Sequence, residues 1–342
     1  MRPGPTPSDA EQRGFEADPR LPLVPTEAVP RCDACGGEAA SPLGTGYDYE
    51  LRTCRNRWTF VTCARCPHVW LHPRPALEAL PVIYPPSYYA YNYEATVPVV
   101  ARLAKAWLDR RKLAGILRAL PGPVRRYADI GCGTGRYLRA MARAGVARAD
   151  IHGLELDAAT VASLRSEGFA AHCARVETCT DIPDGSLDLA TMFHVLEHVA
   201  SPSLVLARLA RWLAPGGVLA LETPNLDSLD ARTFRGRWWG GYHFPRHWHL
   251  FTADSLGALL RSHGLTPLAV RYQPGHSFWM YSLHHALRYG RRPWPRLAAH
   301  LDPFRHVPPL AAATAFDLVR ARCGARTSAM LVLARRDGSA GK

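Results

Sequence analysis

The chain has 342 residues, 47% of them hydrophobic, and a formal charge of +13 carried almost wholly by arginine, since Lys105, Lys112 and Lys342 are the only lysines. No apolar run approaches the roughly 18 residues of a membrane-spanning helix, and residues 1–10 lack the apolar stretch of a secretory signal, so the expected location is the cytoplasm. A basic balance suits an anionic partner, whether a phosphorylated or nucleotide-linked small molecule, an anionic lipid surface or nucleic acid, and charge alone does not choose among them.

Residues 1–30 hold seven prolines and little periodic hydrophobicity, which predicts a disordered tail. Residues 31–75 carry two Cys-x-x-Cys pairs, Cys32/Cys35 and Cys63/Cys66, with 27 residues between them. In a cytosolic chain such pairs read as metal ligands before disulfides. Four thiolates on two turns suit a tetrahedral structural zinc and leave no open position for catalysis. The segment is near the size limit for a self-supporting core, so metal is expected to hold it together, independently of the domain C-terminal to it. The other cysteines (Cys54, Cys132, Cys173, Cys179, Cys323) are scattered and read as packing residues. Residues 76–120 form a connector: a stretch rich in Pro and Tyr (Tyr84, Tyr88, Tyr89, Tyr91, Tyr93), then a basic amphipathic helix over 99–120. Val100, Leu103, Trp107, Leu113, Leu117 and Leu120 can share one face of that helix.

From 121 a strand–helix alternation begins. Strands are predicted over 124–130, 151–156, 169–173, 187–193 and 217–222, with helices over 136–144, 158–166 and 203–213 between them. A helix over 253–262, a strand over 265–272 and the apolar run 329–334 complete the set. The alternation predicts an α/β fold: a Rossmann-like, doubly wound, mostly parallel seven-stranded sheet over 121–338, behind the small zinc-ribbon-like module. The rhythm breaks twice, at a segment over 226–252 and an insert over 273–328.

The loop Asp129-Ile130-Gly131-Cys132-Gly133-Thr134-Gly135 follows a predicted strand and opens a helix. Glycines there allow a sharp turn and close approach of a ligand. Its Gly-x-Gly-x-Gly spacing is not the Gly-x-Gly-x-x-Gly of a dinucleotide site. An acid just before the loop suits a cofactor with a cationic amino-acid tail and would repel a pyrophosphate. Glu155 ends the second strand 20 residues past Gly135, where an acid can accept both hydroxyls of a ribose. Asp157 reads as the cap of the next helix.

With these pieces in order, residues 124–270 resemble the class I S-adenosylmethionine-dependent methyltransferases, in particular a bacterial branch similar to ubiquinone-biosynthesis and polysaccharide-cluster enzymes. The likeness continues through Pro183-Asp184-Gly185-Ser186-Leu187-Asp188, Phe193-His194-Val195-Leu196-Glu197-His198-Val199, Leu213-Ala214-Pro215-Gly216-Gly217 and Glu222-Thr223-Pro224-Asn225. Leu187 stands where the family more often has Phe. The resemblance implies S-adenosylmethionine as cofactor. Asp129, Gly131 and Gly133 would line its methionine part, with Gly135 a further cofactor-binding residue of the loop. Glu155 would hold the ribose and Val176 flank the adenine, while Phe193 and His194 would face cofactor and acceptor. Glu197 and His198 read as local hydrogen-bonding groups.

The 226–252 segment reads as a substrate lid. Its Pro245-Arg246-His247 run, followed by Phe251-Thr252, resembles a segment of the same branch, with His247 as candidate general base, Arg246 as anion contact and His194 as the next candidate base. The competing reading is that its Trp and His residues pack the segment itself. The Cys pairs with His68-Val69-Trp70-Leu71-His72-Pro73-Arg74-Pro75 resemble zinc-ribbon leaders of such enzymes. The function so implied is methyl transfer to a small-molecule acceptor (sugar, lipid or quinone-like), O-methylation included, for which a histidine near neutral pKa is a suitable base. Two alternatives stand beside it: an RNA or protein methyltransferase binding through the zinc module, and a non-catalytic cofactor-binding regulator. Nucleic acid is disfavoured by the lack of a recognition motif. Peripheral contact with a membrane and the oligomeric state stay open.

Overall fold

The computed structural model describes residues 9–86, 88, 98–290, 292–303 and 305–338. Residues 1–8 of the expected tail, and Tyr89, Tyr91 and Tyr93 of the expected connector, lie outside them. The strands in chain order are β1 (Thr26–Glu27), β2 (Ala40–Gly46), β3 (Trp58–Cys63), β4 (Val69–Leu71), β5 (Arg74–Pro75), β6 (Tyr127–Ile130) and β7 (Ile151–Glu155). Then come β8 (Ala170–Cys173), β9 (Leu187–Phe193), β10 (Leu213–Pro224), β11 (His249–Leu250), β12 (Leu265–Gln273) and β13 (Ala329–Arg336). They divide between two units, one of residues 1–104, 224–255 and 272–330, the other of 105–223, 256–271 and 331–342.

In the first unit β2, β3 and β4 form an antiparallel meander through the cysteine pairs. The Val69-Trp70-Leu71 strand is buried along its whole length, so its outer backbone edge needs partners. β11 supplies them, pairing His249 with Trp70 and Leu250 with Val69. The cysteine module is thereby not confined to 31–75, and Trp239, Tyr242, Phe244, Arg246 and Trp248 of the 226–252 segment are buried in this unit. The 273–328 segment belongs here too, as helices His276–Tyr289 and Val307–Arg322. The Gly240 N–H donates to Ser282 Oγ at 2.8 Å. Asp317 accepts from the Gly275 N–H at 3.1 Å and from Ser328 Oγ at 2.9 Å.

The expected tail is also corrected over its described part. Asp9–Phe15 is helical, and Phe15 is fully buried against Tyr47, with ring centroids 4.8 Å apart and planes within 6°. Glu11, one turn earlier, accepts from Arg237 Nη1 at 2.8 Å and Tyr49 Oη at 3.0 Å. A proline-rich composition outweighs one aromatic in a sequence window, whereas in the fold that aromatic has a matching surface to cover.

The second unit holds a seven-stranded sheet of order β12-β13-β10-β9-β6-β7-β8. The pairs β10–β9, β9–β6, β6–β7 and β7–β8 are parallel. This is the expected α/β architecture. Its central strands are buried on both faces, as parallel sheets covered by crossover helices require. Asp157 caps helix Ala158–Ser166 by accepting from the Thr160 N–H at 2.7 Å, and Ser201 with Pro202 starts helix Pro202–Trp212. Leu206, Leu209 and Trp212 of that helix are fully buried, worth about 1.5–3 kcal/mol each. Helix Val99–Arg118 departs from its expected face. Val100, Leu103 and Trp107 are exposed, and the buried positions are Asp109, Leu113 and Ile116. An acid takes a place in the buried row because basic partners surround it.

Candidate cofactor site and cysteine centre

Strand order reverses between β6 and β9, which in open parallel sheets opens a crevice at the carboxyl ends of the strands. Asp129, next to last in β6, is 2% exposed. Its Oδ1 accepts from Thr191 Oγ1 on β9 at 2.6 Å, and its Oδ2 is buried with no hydrogen-bond partner. Burial pushes its pKa up to about 7, against the Thr191 hydrogen bond and the charges of Arg136 and Lys112, which act to lower it.

The loop leaving β6 turns through positive φ at Gly131, Gly133 and Gly135. A Cβ on Gly131 would lie 2.5 Å from Val195 Cγ2, while one on Gly133 would meet nothing within 4 Å. Gly133 therefore borders open space. Glu155, at the end of β7, accepts from the Gly133 N–H at 2.9 Å through Oε2 and from the Leu156 N–H at 2.7 Å through Oε1. It ties the loop to the strand tip and keeps lone pairs for further donors. Val176, past β8, is buried. An orphaned acid oxygen, an uncrowded glycine and a strand-end carboxylate fit a ligand with an ammonium tail and a ribose.

Phe193 and His194 lie at the end of β9. His194 has φ +56°, a backbone state that costs a non-glycine residue of order 1–3 kcal/mol and tends to persist at functional sites. Its Nδ1 is 3.2 Å from Glu197 Oε1 and its Nε2 3.5 Å from Glu222 Oε1. Its side chain is 42% exposed; desolvation by the surrounding protein acts to lower its pKa, but the two carboxylates outweigh that and hold it up to about 9. Lys112 pairs with Glu222 and sits 4.1 Å above the Phe193 ring. Burial works against ionisation of Glu222, yet the Lys112 charge and His194 keep it well below the usual carboxylate range. Asp109 accepts from Tyr137 Oη at 2.8 Å and faces Arg136 at 2.7 Å. Sequence reasoning missed Lys112 and Asp109. One signal was available: in a chain that uses arginine almost everywhere, two of the three lysines stand four before and three after Asp109.

His247 lies in the other unit and is buried. Its Nδ1 is 2.8 Å from the Gly241 carbonyl, which can only accept, so Nδ1 carries a proton. Arg246 does not have the expected role of anion contact. It is fully buried, with Nη1 and Nη2 on Asp48 at 3.0 and 2.8 Å and Nε on the Ile83 carbonyl at 2.9 Å. Nearby His243 has φ +40°, with Nδ1 2.6 Å from Glu50 Oε2, a pair that no local spacing foretold.

In the first unit the sulfurs of Cys32 and Cys66 are 3.6 Å apart, as are those of Cys35 and Cys63, and all four lie within 4.8 Å of one another. A tetrahedron with metal–sulfur bonds near 2.3 Å has edges of about 3.8 Å. The Arg65 N–H points at Cys63 Sγ at 3.4 Å, stabilising the thiolate that a metal requires. The four residues fit a closed tetrahedral ion.

A glycine loop at a switch point marks a nucleoside-cofactor domain, and an acid where a pyrophosphate would be repelled narrows it to cofactors with a cationic amino-acid tail. Residues 101–270 match the family described as a methyltransferase domain, and this part of the chain belongs to the class I S-adenosylmethionine-dependent methyltransferases. Over 152 residues the chain is 32% identical to a ubiquinone biosynthesis O-methyltransferase of Xanthomonas oryzae pv. oryzae, covering 39% of this chain and 62% of that one. A protein of the same description from Xanthomonas campestris pv. campestris is 39% identical over 113 residues, 31% of this chain and 45% of its own. The chain thus spans less than two thirds of these relatives. Among solved structures, 1,6-didemethyltoxoflavin-N1-methyltransferase of Burkholderia thailandensis aligns with a TM-score of 0.44 at 16% identity, covering 82% of this chain and 96% of that one. No helix among the described residues is long and apolar enough to cross a membrane.

Proposed function

We propose that the protein transfers the methyl group of S-adenosylmethionine to a small-molecule acceptor. The carrying observation is the set of Asp129, Gly133 and Glu155 at one switch point: a buried acid with an unpartnered oxygen, a glycine bordering open space, and a carboxylate joining loop to strand tip. The cofactor brings the activated methyl group, so the protein's part is alignment and exclusion of water. Asp129 would hold the ammonium, Glu155 the ribose hydroxyls, Val176 the adenine face, and Phe193 the floor beside the reacting centre.

His247, with its proton fixed on Nδ1, is the proposed base for a hydroxyl acceptor. His194, held as an imidazolium between two carboxylates, orients and neutralises them at neutral pH. The relatives named as O-methyltransferases support an oxygen acceptor of small-molecule kind. Zinc on Cys32, Cys35, Cys63 and Cys66 is proposed to be structural. Calorimetry with S-adenosylhomocysteine tests the cofactor reading. Wild type should bind, and Glu155→Ala should weaken binding by about 1.5–3 kcal/mol; unaltered affinity in a folded variant would remove Glu155 from the site.

A further inference from the structure

The edge of the seven-stranded sheet carries a second group of metal-ligating side chains that the cofactor reading does not use. His172 lies on the edge strand β8, and Cys179 and Asp181 on the segment C-terminal to it. His172 Nδ1 is 3.1 Å from Asp181 Oδ2, and Cys179 Sγ lies with both inside a 4.8 Å cluster. We propose that these three side chains form a second metal site, for a divalent transition ion of the zinc class.

The donor set argues for that ion class. One imidazole nitrogen, one sulfur and one carboxylate oxygen are borderline ligands of the kind zinc accepts. A histidine–aspartate hydrogen bond alone would account for two of the three groups. It leaves unexplained why a buried thiol, 2% exposed, converges with them. Three ligands leave the fourth position to water, and the Asp181 side chain, 62% exposed, gives the ion a way in.

An outer partner is also in place. His152, on β7, puts Nδ1 3.1 Å from His172 Nε2, with the rings within 13° of parallel. Metal-bound imidazoles take such a partner on their second nitrogen, which fixes ring and tautomer. In the metal-free state His172 Nδ1–H donates to Asp181 and Nε2 accepts from His152. On metal binding the His172 Nδ1 proton leaves to solvent and the metal takes Nδ1, while the His152 Nδ1 proton passes to His172 Nε2, which now donates back to His152 Nδ1, and His152 takes a proton from solvent on its Nε2. Burial raises the Cys179 thiol pKa, so the thiol enters protonated and gives up one proton to solvent as the sulfur–metal bond forms.

The ion would clamp residues 174–181 onto β8. That stretch carries Val176, the proposed adenine contact, so metal should tighten cofactor binding; this coupling rests on the cofactor reading, whereas metal binding does not.

The test uses the full chain dialysed against excess Co²⁺ and desalted, with cobalt and zinc counted by elemental analysis. Two metals per chain are expected. Cys179→Ser and His172→Asn should each retain one, and Cys32→Ser with Cys35→Ser should retain the other. Asp181→Asn, at an exposed position that spares the fold, should also drop to one. His152→Asn should weaken the second equivalent by ~10–100-fold. One metal in wild type, or two in folded Cys179→Ser and Asp181→Asn, would overturn the proposal. S-adenosylhomocysteine binding measured on the same samples separates the readings, because a chain that binds two metals and no cofactor keeps this site and loses the other.

Discussion

Cofactor binding should release a proton from Asp129. Its folded-state pKa is about 7, raised by burial from the ordinary 3.8. At pH 7 the free protein therefore holds this carboxyl about half protonated. A cofactor ammonium against the unpartnered Oδ2 favours the carboxylate, so binding should expel about 0.5 proton at pH 7, about 0.9 at pH 6 and about 0.1 at pH 8. Stability depends on the same proton. A carboxyl with a raised folded pKa binds more protons folded than unfolded, so the stability this group contributes is greatest below pH 4 and falls as pH rises from 4 to 7. That loss is on the order of 4 kcal/mol, and the ligand's ammonium offsets part of it. Calorimetry of S-adenosylhomocysteine in buffers of differing ionisation enthalpy measures the proton count directly. Asp129→Asn should abolish the buffer dependence and weaken binding about 10- to 150-fold, the loss of one charge-assisted hydrogen bond. 5′-Methylthioadenosine, which lacks the amino-acid tail, should release no proton. Buffer-independent heats in the wild type, or an equal release from Asp129→Asn, would refute the assignment of this proton to Asp129.

Gly133→Ala should stay folded, since its Cβ meets no protein atom, at a backbone cost of order 1 kcal/mol for φ +49°, and lose cofactor affinity by more than about 10-fold. Gly131→Ala should lower stability as well, through Val195, and thermal melts beside binding curves tell the two apart. In an NMR titration His194 should titrate near 9 rather than 6.5. The stability it contributes is complete below pH 6.5 and lost as pH rises through 9, and a midpoint near 6.5, assigned with His194→Gln, would dismiss the carboxylate clamp. Arg246→Met should cost about 3–5 kcal/mol in urea unfolding because it strands the buried Asp48 carboxylate. Adding Asp48→Asn should recover part of that, and a single-variant cost below about 1 kcal/mol would count against the ion pair.

Local pattern carried the second unit into the sequence. Parallel strands buried on both faces read as apolar runs, the glycine loop has fixed spacing, and Asp157 caps its helix where capping chemistry puts it. Glu155 ends β7 and accepts from the glycine loop, at the strand tip where its spacing from that loop put it. The first unit hid itself for a physical reason. β11 is two residues long, too short for any periodicity, and its partner is β4, far upstream. The Arg246–Asp48 pair likewise joins residues 198 apart, and neither residue type announces burial. Helix Val99–Arg118 misled because its apolar spacing is helical in both halves, while only the later half meets a core.

The late arrival of β11 sets the order in which the chain can finish itself during synthesis. The cysteine pairs and β4 leave the ribosome early, yet the strand that covers the outer edge of β4 emerges 178 residues after Leu71. At about 5–20 residues per second, the nascent sheet waits roughly 10–40 s with Val69-Trp70-Leu71 presenting an open apolar edge. An uncovered edge of that kind templates pairing with other chains. Early metal capture by the four cysteines would fix the meander's twist during that interval, and the cofactor sheet of β6 to β10 is made while the first unit is still incomplete. With zinc on the four cysteines as proposed, starving growing cells of zinc should therefore trap the protein as it is being made.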